Sequence, residues 1–373
     1  MDFIFSFQSK CKIGLTLLLW LSPRLMAMEI PAEVVHHFDD TGSECLKTGI
    51  PTTNTVTLSA NQMTSAGINS AIHSKTTINL PAGIYNMTSV VYISGCANVI
   101  LRGAVDSAGK PATELRFTKS LTNLFGNNPS ASGGFGNWHG MGGLITIGMN
   151  ESNYKDAIRT RPSNAIGLEN LIISFNRLAY NNHREDGYNA IYLACTNDCY
   201  VKNVNLVNFD SGIITYRTKH FTATNMVLDA AEKSAHFGIV LSWSNYNLVE
   251  HINSVSGIVH DMSVQGAVHN KFSHITCVTG AHDGISFRGL GCNDNFFDDV
   301  SLGDSTSKGQ YHYTRDTIVF GTSNGQPKRD PQVFGVCYYN NVSFLGTIVT
   351  EAPSYLKSKV SVYYSLAAPE PVH

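Results

Sequence analysis

The chain has 373 residues, a formal net charge of −2 and a charged fraction of only 14%. A balance this close to neutral does not predict binding to nucleic acid or to an anionic membrane surface, and so few charges argue against a helical enzyme of this size. Abundant Asn, Ser, Thr and Gly instead favour a fold made of short strands and many turns.

The first 27 residues have the order of a secretory signal peptide. Lys10 and Lys12 precede an apolar run from Ile13 to Leu21, and the small residue Ala27 closes the segment. A membrane-spanning helix needs about 20 apolar residues, more than this run or any other stretch supplies. We therefore expect cleavage near Ala27, a secreted or periplasmic protein without a membrane segment, and an N-terminal extension over residues 28–59.

A repeat domain is predicted over residues 60–350. Its first element is a helix, because Met63, Ile68 and Ile72 lie at helical spacing. This helix is placed where it would cap the open end of a core.

Two polar excursions interrupt the domain. One lies near residues 123–143 and is rich in Gly, Asn and Ser, and the other lies near residues 303–328. Loops of this length in compact domains tend to be functional or disordered. Residues 351–373 are expected to form a C-terminal tail or cap.

An internal period decides the predicted architecture. A polar residue followed by an apolar one recurs, with the apolar members separated by 33, 22, 26, 23 and 25 residues. The occurrences are Asn170-Leu171, Asn203-Val204, Asn225-Met226, His251-Ile252, His274-Ile275 and Asp299-Val300. A coil of three short parallel strands and three turns needs about this length, whereas a β-propeller blade needs about 40–45 residues.

A second strand follows at a nearly fixed offset within each coil. The matching segments are 212–216, 238–242, 261–265 and 284–288. Apolar residues alternate in each segment, as a strand with one buried face requires. Stacked coils of this kind bury a continuous core.

The beginning of the repeat domain carries two further motifs, Ile78-Asn79-Leu80-Pro81-Ala82-Gly83-Ile84-Tyr85 and Val99-Ile100-Leu101-Arg102-Gly103. A helix followed by these motifs resembles the opening of pectate-lyase-like proteins, and the resemblance extends from about residue 60 to residue 305. It implies an all-β fold, a right-handed parallel β-helix with an N-terminal capping helix. It does not imply one activity, because this fold hosts lyases, hydrolases, epimerases, esterases and adhesins.

The cysteines have disulfide-compatible positions in such a fold. Cys195 and Cys199 are close enough to bridge one turn, and Cys277 and Cys292 are expected on adjacent coils. Export would place them in an oxidising compartment, where disulfides form.

The strand alternation predicts which side chains face outwards. If Ile213, Ile239, Met262 and Ile285 form an inward stack, the outward columns are Tyr216–Ser242–Gln265–Arg288, Ile214–Val240–Ser263–Ser286, Gly212–Gly238–Asp261–Gly284 and Asp210–His236–Val259–His282. The small residues predict a shallow groove that suits an extended sugar chain. A second register aligns His236, His260 and His282 instead and sets Asp261 beside Asp283, but it disrupts the apolar stack.

The resulting cluster suggests a polysaccharide lyase that acts on a uronate-containing glycan. Arg288 is the natural clamp for the uronate carboxylate, because a guanidinium donates two parallel hydrogen bonds. His260 or His282 is the candidate base, and Tyr216 is a candidate acid. Asp261 and Asp283 complete the predicted catalytic set.

Calcium is the one cofactor that these residues suggest. Asp261 and Asp283 would supply its carboxylates, although calcium takes about six to eight oxygen ligands. Metal use and oligomeric state are otherwise unknown from the sequence, and a polysaccharide is the expected partner.

Two other hypotheses use the same surface. In a glycoside hydrolase, Asp261 and Asp283 would be the acid and the base, with Glu185, Asp186 and Asp229 as substitutes. A non-catalytic glycan-binding protein is the third class. For each of them the predicted sugar-binding residues are Tyr216, His236, Trp243, Gln265 and Trp138, the tryptophans because an indole ring stacks on a sugar face.

Overall fold

The computed structural model describes a discontinuous set of residues. They are residues 50–128, 138, 140–156, 162–177, 187–230, 235–256, 258–267, 269–277, 280–288, 296–302, 318–319 and 341–343. From residue 278 onward only the backbone positions are described, not the side chains. The predicted signal peptide, Cys292, Glu185 and Asp186 lie outside the described residues.

Strands make up most of the described structure, with three short helices and one 3-10 turn. The helices are α1 (Ser65–Ala71), α2 (Leu121–Phe125) and α3 (Glu151–Asp156), and the 3-10 turn is Ala60–Gln62. The strands are β1 (Asn54–Thr57), β2 (Thr76–Asn79), β3 (Gly83–Met87), β4 (Val91–Ile93), β5 (Ala97–Arg102), β6 (Thr113–Phe117), β7 (Ile145–Ile147), β8 (Asn164–Phe175), β9 (Asn189–Ala194), β10 (Tyr200–Val207), β11 (Ser211–Tyr216), β12 (Thr222–Asp229), β13 (Ala235–Ser242), β14 (Leu248–Ser256), β15 (Ile258–Gln265), β16 (Lys271–Cys277), β17 (Gly280–Arg288), β18 (Phe296–Leu302), β19 (Ile318–Val319) and β20 (Asn341–Ser343).

The strands form two sheets whose paired strands are all parallel. The first sheet runs β1-β2-β5-β8-β10-β12-β14-β16-β18-β20 with β3 and β6 beside it, and the second runs β4-β7-β9-β11-β13-β15-β17-β19. From β8 to β18 the chain alternates between the sheets, so each strand pairs with the strand one coil later. This confirms the predicted parallel β-helix. No helix among the described residues is long and apolar enough to cross a membrane.

The long strands of the first sheet bend at the residues that recur in the sequence. Asn170, Asn203 and Asn225 have φ values of 57°, 54° and 53°, and His251 and His274 have 52° and 51°. Asparagine tolerates this left-handed conformation better than most residues. The bend splits β8 into one arm that pairs with β5 and another that pairs with β6, so the two sheets enclose the core on three sides.

Apolar ladders on both sheets fill the core. Leu171, Val204, Met226, Ile252, Ile275 and Val300 are successive partners in the first sheet. Ile191, Ile213, Ile239, Met262 and Ile285 are successive partners in the second. Ile213, Ile239 and Met262 are buried, which confirms the predicted inward stack for these three residues, and burying each such side chain contributes about 1.5–3 kcal/mol.

Helix α1 packs against the start of this core. Ile68 is fully buried, and the side chain of Thr64 accepts a hydrogen bond from the Gly67 N–H at the start of the helix. The capping role of this helix stays a prediction.

The two predicted excursions are not purely irregular. The first contains most of α2 and the buried Trp138, and β19 lies inside the second and pairs with β17.

The predicted Cys195–Cys199 disulfide is wrong. Both thiols are free, as is that of Cys277. Cys199 is buried among apolar side chains, and burial raises its pKa to about 12, so it acts as a small apolar residue.

Two glycines permit a close approach between successive coils of the second sheet. A Cβ atom on Gly238 would lie 2.3 Å from the carbonyl oxygen of Asp261, and one on Gly212 would lie 2.3 Å from that of Gly238. We expect Gly238→Ala to lower the free energy of unfolding by about 3 kcal/mol, because backbone atoms must move apart. Urea unfolding measures this, with Ser242→Ala on the same strand as the control. Equal stability of the two variants would contradict the close approach.

Candidate functional site

The outer face of the second sheet carries most of the predicted site residues. Tyr192, Ile214 and Val240 are successive partners and form a small apolar cluster with Phe237, separate from the main core. Burial raises the pKa of Tyr192, so its hydroxyl stays protonated. Ile214, Val240 and Ser263 are only 2%, 2% and 1% exposed. The shallow open groove predicted along this column is therefore not present at these residues.

One group of predicted residues lies at the carboxyl ends of these strands, and we call it the strand-end group. Tyr216, Ser242, Gln265 and Arg288 are partners on successive coils, as predicted. The first three are half-buried. Trp243 follows Ser242 directly and is 54% exposed, so its ring is accessible. The side chain of Arg288 is outside the described part, but its backbone position beside Gln265 is fixed by the register.

A second group lies at the beginning of the same strands, and we call it the strand-start group. The ring of His260 lies 5.3 Å from that of His236 and 5.5 Å from that of Phe237. The register pairs Phe237 with His260 and His260 with Asp283. His260 is buried and His236 is partly exposed. The side chains of His282 and Asp283 are not described.

The preferred register is the observed one from His260 onward. His260 pairs with Asp283, as that register requires, and the alternative that aligned His260 with His282 is wrong. The β15–β17 pairing shifts only before His260, where Ile258 pairs with Gly280. Neither predicted register contained this irregularity at the start of the strand, which alternation alone does not reveal.

The two groups lie at opposite ends of one face. Gln265 follows His260 by five positions on β15, about 16 Å along an extended strand. The predicted arrangement placed Arg288 and the histidines around one sugar. The structure instead separates the backbone position of Arg288 from the histidines by most of the length of a strand.

Asp261 points into the core, which corrects its predicted outward orientation. It is fully buried, and its carboxyl oxygen accepts a hydrogen bond from the Ser254 hydroxyl and lies in contact with the Cys277 thiol. Burial raises the pKa of Asp261 to about 7. Asp261 therefore lies away from the outer surface on which it was predicted to pair with Asp283 as hydrolase acid and base or as calcium ligands.

Trp138 also lies in the interior, which corrects its prediction as an exposed sugar platform. It is 2% exposed, its indole N–H donates to the Gly126 carbonyl at 3.1 Å, and its ring packs against Phe125 and Tyr154. The Gly-rich context predicted a surface loop, but the aromatic neighbours arrive from distant segments. Among the described side chains, no three His, Cys, Asp or Glu residues are grouped to hold a metal ion.

A buried ion pair beside the strand-start group was missed by the sequence prediction. The Arg177 Nε lies 2.8 Å from the Asp210 Oδ1, and the two side chains are 4% and 1% exposed. The other Asp210 oxygen accepts the Tyr188 N–H at 2.9 Å, and the Asp210 carbonyl accepts the His236 N–H at 2.7 Å. Asp210 thus links the beginnings of three successive strands. Its place one residue before the repeated strand was the only signal in the sequence.

No protein-family model matches this chain, and no curated protein matches it. Among solved structures, it is similar to an alginate lyase from Paenibacillus sp. (12% identity, 78% of this chain and 87% of that one, TM-score 0.45). It is similar to a pectate lyase from Bacillus sp. N165 solved with trigalacturonate (12% identity, 86% and 95%, TM-score 0.39). It is also similar to a family 28 exopolygalacturonase from Yersinia enterocolitica (11% identity, 82% and 65%, TM-score 0.39).

Proposed function

We propose that this chain is an exported enzyme that cleaves a uronate-containing polysaccharide by β-elimination. The observation that carries the proposal is the outer face of the second sheet, where the partly exposed His236 lies against the buried His260 at one end and the column of Tyr216, Gln265 and Arg288 lies at the other. The charged, apolar and small-residue order of the first 27 residues supports export.

The histidine pair supplies the proton chemistry. The ring centres of His236 and His260 lie 5.3 Å apart, and His236 is the partly exposed member of the pair. In this proposal His236 removes the acidified C5 proton of the uronate, the C4–O4 bond breaks as the C4–C5 double bond forms, and a solvent water protonates the leaving oxygen. The buried His260 packs against the His236 ring and positions it.

The strand-end group binds a neighbouring sugar of the same chain. Arg288, beside Gln265 in the register, is assigned to a second uronate carboxylate. Tyr216 and Gln265 donate hydrogen bonds to hydroxyl groups in this assignment. Since the two groups are about 16 Å apart along the strand, the preferred substrate is an oligosaccharide of several sugars.

The test is the ultraviolet absorbance of unsaturated product, with polygalacturonate and alginate as substrates, with and without calcium. His236→Gln is expected to lower kcat by about a hundredfold or more, because the base is lost. Arg288→Ala is expected to raise KM about tenfold with a smaller effect on kcat, because a charged hydrogen bond to a remote sugar is lost.

The exposed His274, on the first sheet, provides the matched control. His274→Gln removes an imidazole far along the chain from the proposed base and is expected to leave the rate unchanged. New reducing ends without ultraviolet absorbance would contradict the proposed lyase and indicate a glycoside hydrolase. Binding without any product would make the chain a glycan-binding protein.

A further inference from the structure

The turns that connect the second sheet to the first carry large side chains in an unusual backbone conformation. These turns are residues 195–199, 217–221, 243–247 and 266–270. Arg217 and Trp243 have φ values of 51°, and His220, Tyr246 and His269 have 54°, 58° and 55°. For a residue with a side chain this conformation costs about 1–2 kcal/mol.

The bend in the first sheet shows that the chain can meet the same backbone demand with smaller residues. Asn170, Asn203 and Asn225 occupy three of its left-handed positions, and His251 and His274 occupy two more. Arginine, tryptophan and tyrosine in the connecting turns have no such backbone advantage. Strained residues of this kind are concentrated at functional sites, because selection retains them for another reason.

The rings of these turns are already aligned on successive coils. Tyr246 and His269 stack with centroids 4.9 Å apart and planes 15° apart, and His220 lies 6.0 Å from Tyr246. The Arg217 guanidinium lies 5.3 Å from the centre of the Tyr216 ring. A surface whose side chains are ordered before binding loses little conformational entropy when a ligand arrives.

The surface is cationic and has an accessible aromatic ring. Arg217 and Lys219 are exposed, and Trp243 is 54% exposed. Asp198 is the one carboxylate in the four turns, and it lies 3.2 Å from the His220 Nδ1. The four turns therefore carry a net positive charge, and the same surface has a flat apolar ring.

We propose that this surface binds an anionic polysaccharide along the axis of the β-helix. The surface consists of Arg217, Lys219, His220, Trp243, Tyr246 and His269, and we call it the corner surface. Its turns repeat every ~4.8 Å, which is comparable with the length of one sugar in an extended chain. Arg217 and Lys219 contact uronate carboxylates, and the Trp243 ring stacks on a sugar face.

The charges favour a glycan over other polyanions. Nucleic acid recognition uses larger clusters of Lys and Arg than the two cations present here. An acidic peptide offers no flat apolar face for Trp243. The inference rests on the proposed function only for the uronate substrate class, and the corner surface holds polymer outside the proposed cleavage site.

Calorimetric titration of the full chain with polygalacturonate tests this surface. Trp243→Ala is expected to weaken binding about tenfold through the lost ring contact. Lys219→Gln is expected to weaken it about threefold at low salt and to reduce its salt dependence. Lys202→Gln, an exposed cation on the first sheet, is the matched control and is expected to bind as the unchanged chain does.

Three results would overturn the inference. They are unchanged affinity in Trp243→Ala and Lys219→Gln, equal binding of a neutral glucan, and equal binding of polyglutamate. The titrations are run with the full chain carrying His236→Gln, in which cleavage is expected to be at least about a hundredfold slower, so affinity is measured apart from turnover. A chain that binds through the corner surface but yields no unsaturated product contradicts the proposed lyase alone, whereas cleavage with unchanged affinity in both variants contradicts the corner surface alone.

Discussion

Asp210→Asn is expected to lower the free energy of unfolding by about 3–5 kcal/mol, because it removes the carboxylate that neutralises the buried Arg177 guanidinium. The pair is separated by 2.8 Å, and both side chains are almost inaccessible. Asp210 also accepts hydrogen bonds from the N–H groups of Tyr188 and His236, through its side chain and its backbone respectively. Urea unfolding followed by circular dichroism measures the loss.

Arg102→Gln is the matched control for this effect. Arg102 Nε lies 2.6 Å from Glu169 Oε2, but its side chain is 42% exposed, so we expect a loss of at most about 1 kcal/mol. The double variant Arg177→Met with Asp210→Asn removes the buried charge and is expected to recover part of the stability. Similar losses of stability in Asp210→Asn and Arg102→Gln would show that burial does not increase the contribution of the Arg177–Asp210 pair to stability.

Asp261→Asn is expected to stabilise the protein at pH 8 and to have little effect at pH 4. Burial raises the pKa of Asp261 from its ordinary 3.8 to about 7 in the folded protein. A rise of that size corresponds to about 4 kcal/mol between the two ends of the pH range.

The direction follows from proton binding. Between about pH 4 and pH 7 the folded chain keeps the Asp261 proton while the unfolded chain releases it, so stability falls as the pH rises. Above the folded pKa of about 7 the carboxylate is charged in the core and the full penalty applies. Asparagine carries no charge at any of these pH values, and its amide oxygen can still accept the Ser254 hydroxyl.

Thermal unfolding at a series of pH values measures this difference. Asp229→Asn serves as the control, because Asp229 is half-buried at the end of β12 rather than enclosed in the core. We expect Asp261→Asn to flatten the dependence of stability on pH and Asp229→Asn to preserve it. An unchanged pH profile in Asp261→Asn would mean that the buried carboxyl does not control it.

Much of the fold was predictable because a β-helix repeats one local pattern. The spacing of Leu171, Val204 and Met226 matched the ladder of the first sheet, and the alternation at Ile213 and Ile239 matched that of the second. Each coil contacts its neighbours in the same way, so a period in the sequence becomes a register in space.

The candidate site was only partly predictable from the same pattern. The column of Tyr216, Gln265 and Arg288 followed from alternation. The inward orientation of Asp261 did not follow from the alternation. Near the start of the strand the coils approach closely, and the Asp261 side chain turns inward to Ser254. Trp138 and Arg177 gave no periodic signal, since both residues lie in segments outside the repeat.

The sequence by itself determined the architecture and the columns of side chains, because both depend on short-range periodicity that each coil repeats. Only the tertiary structure decided which of these side chains are accessible and which share a site. Packing buries His260 and Asp261 while His236 stays partly exposed, and about 16 Å of extended strand separates this group from Arg288. Burial and contact depend on packing between segments distant in the chain, and a single repeat carries no information about that packing.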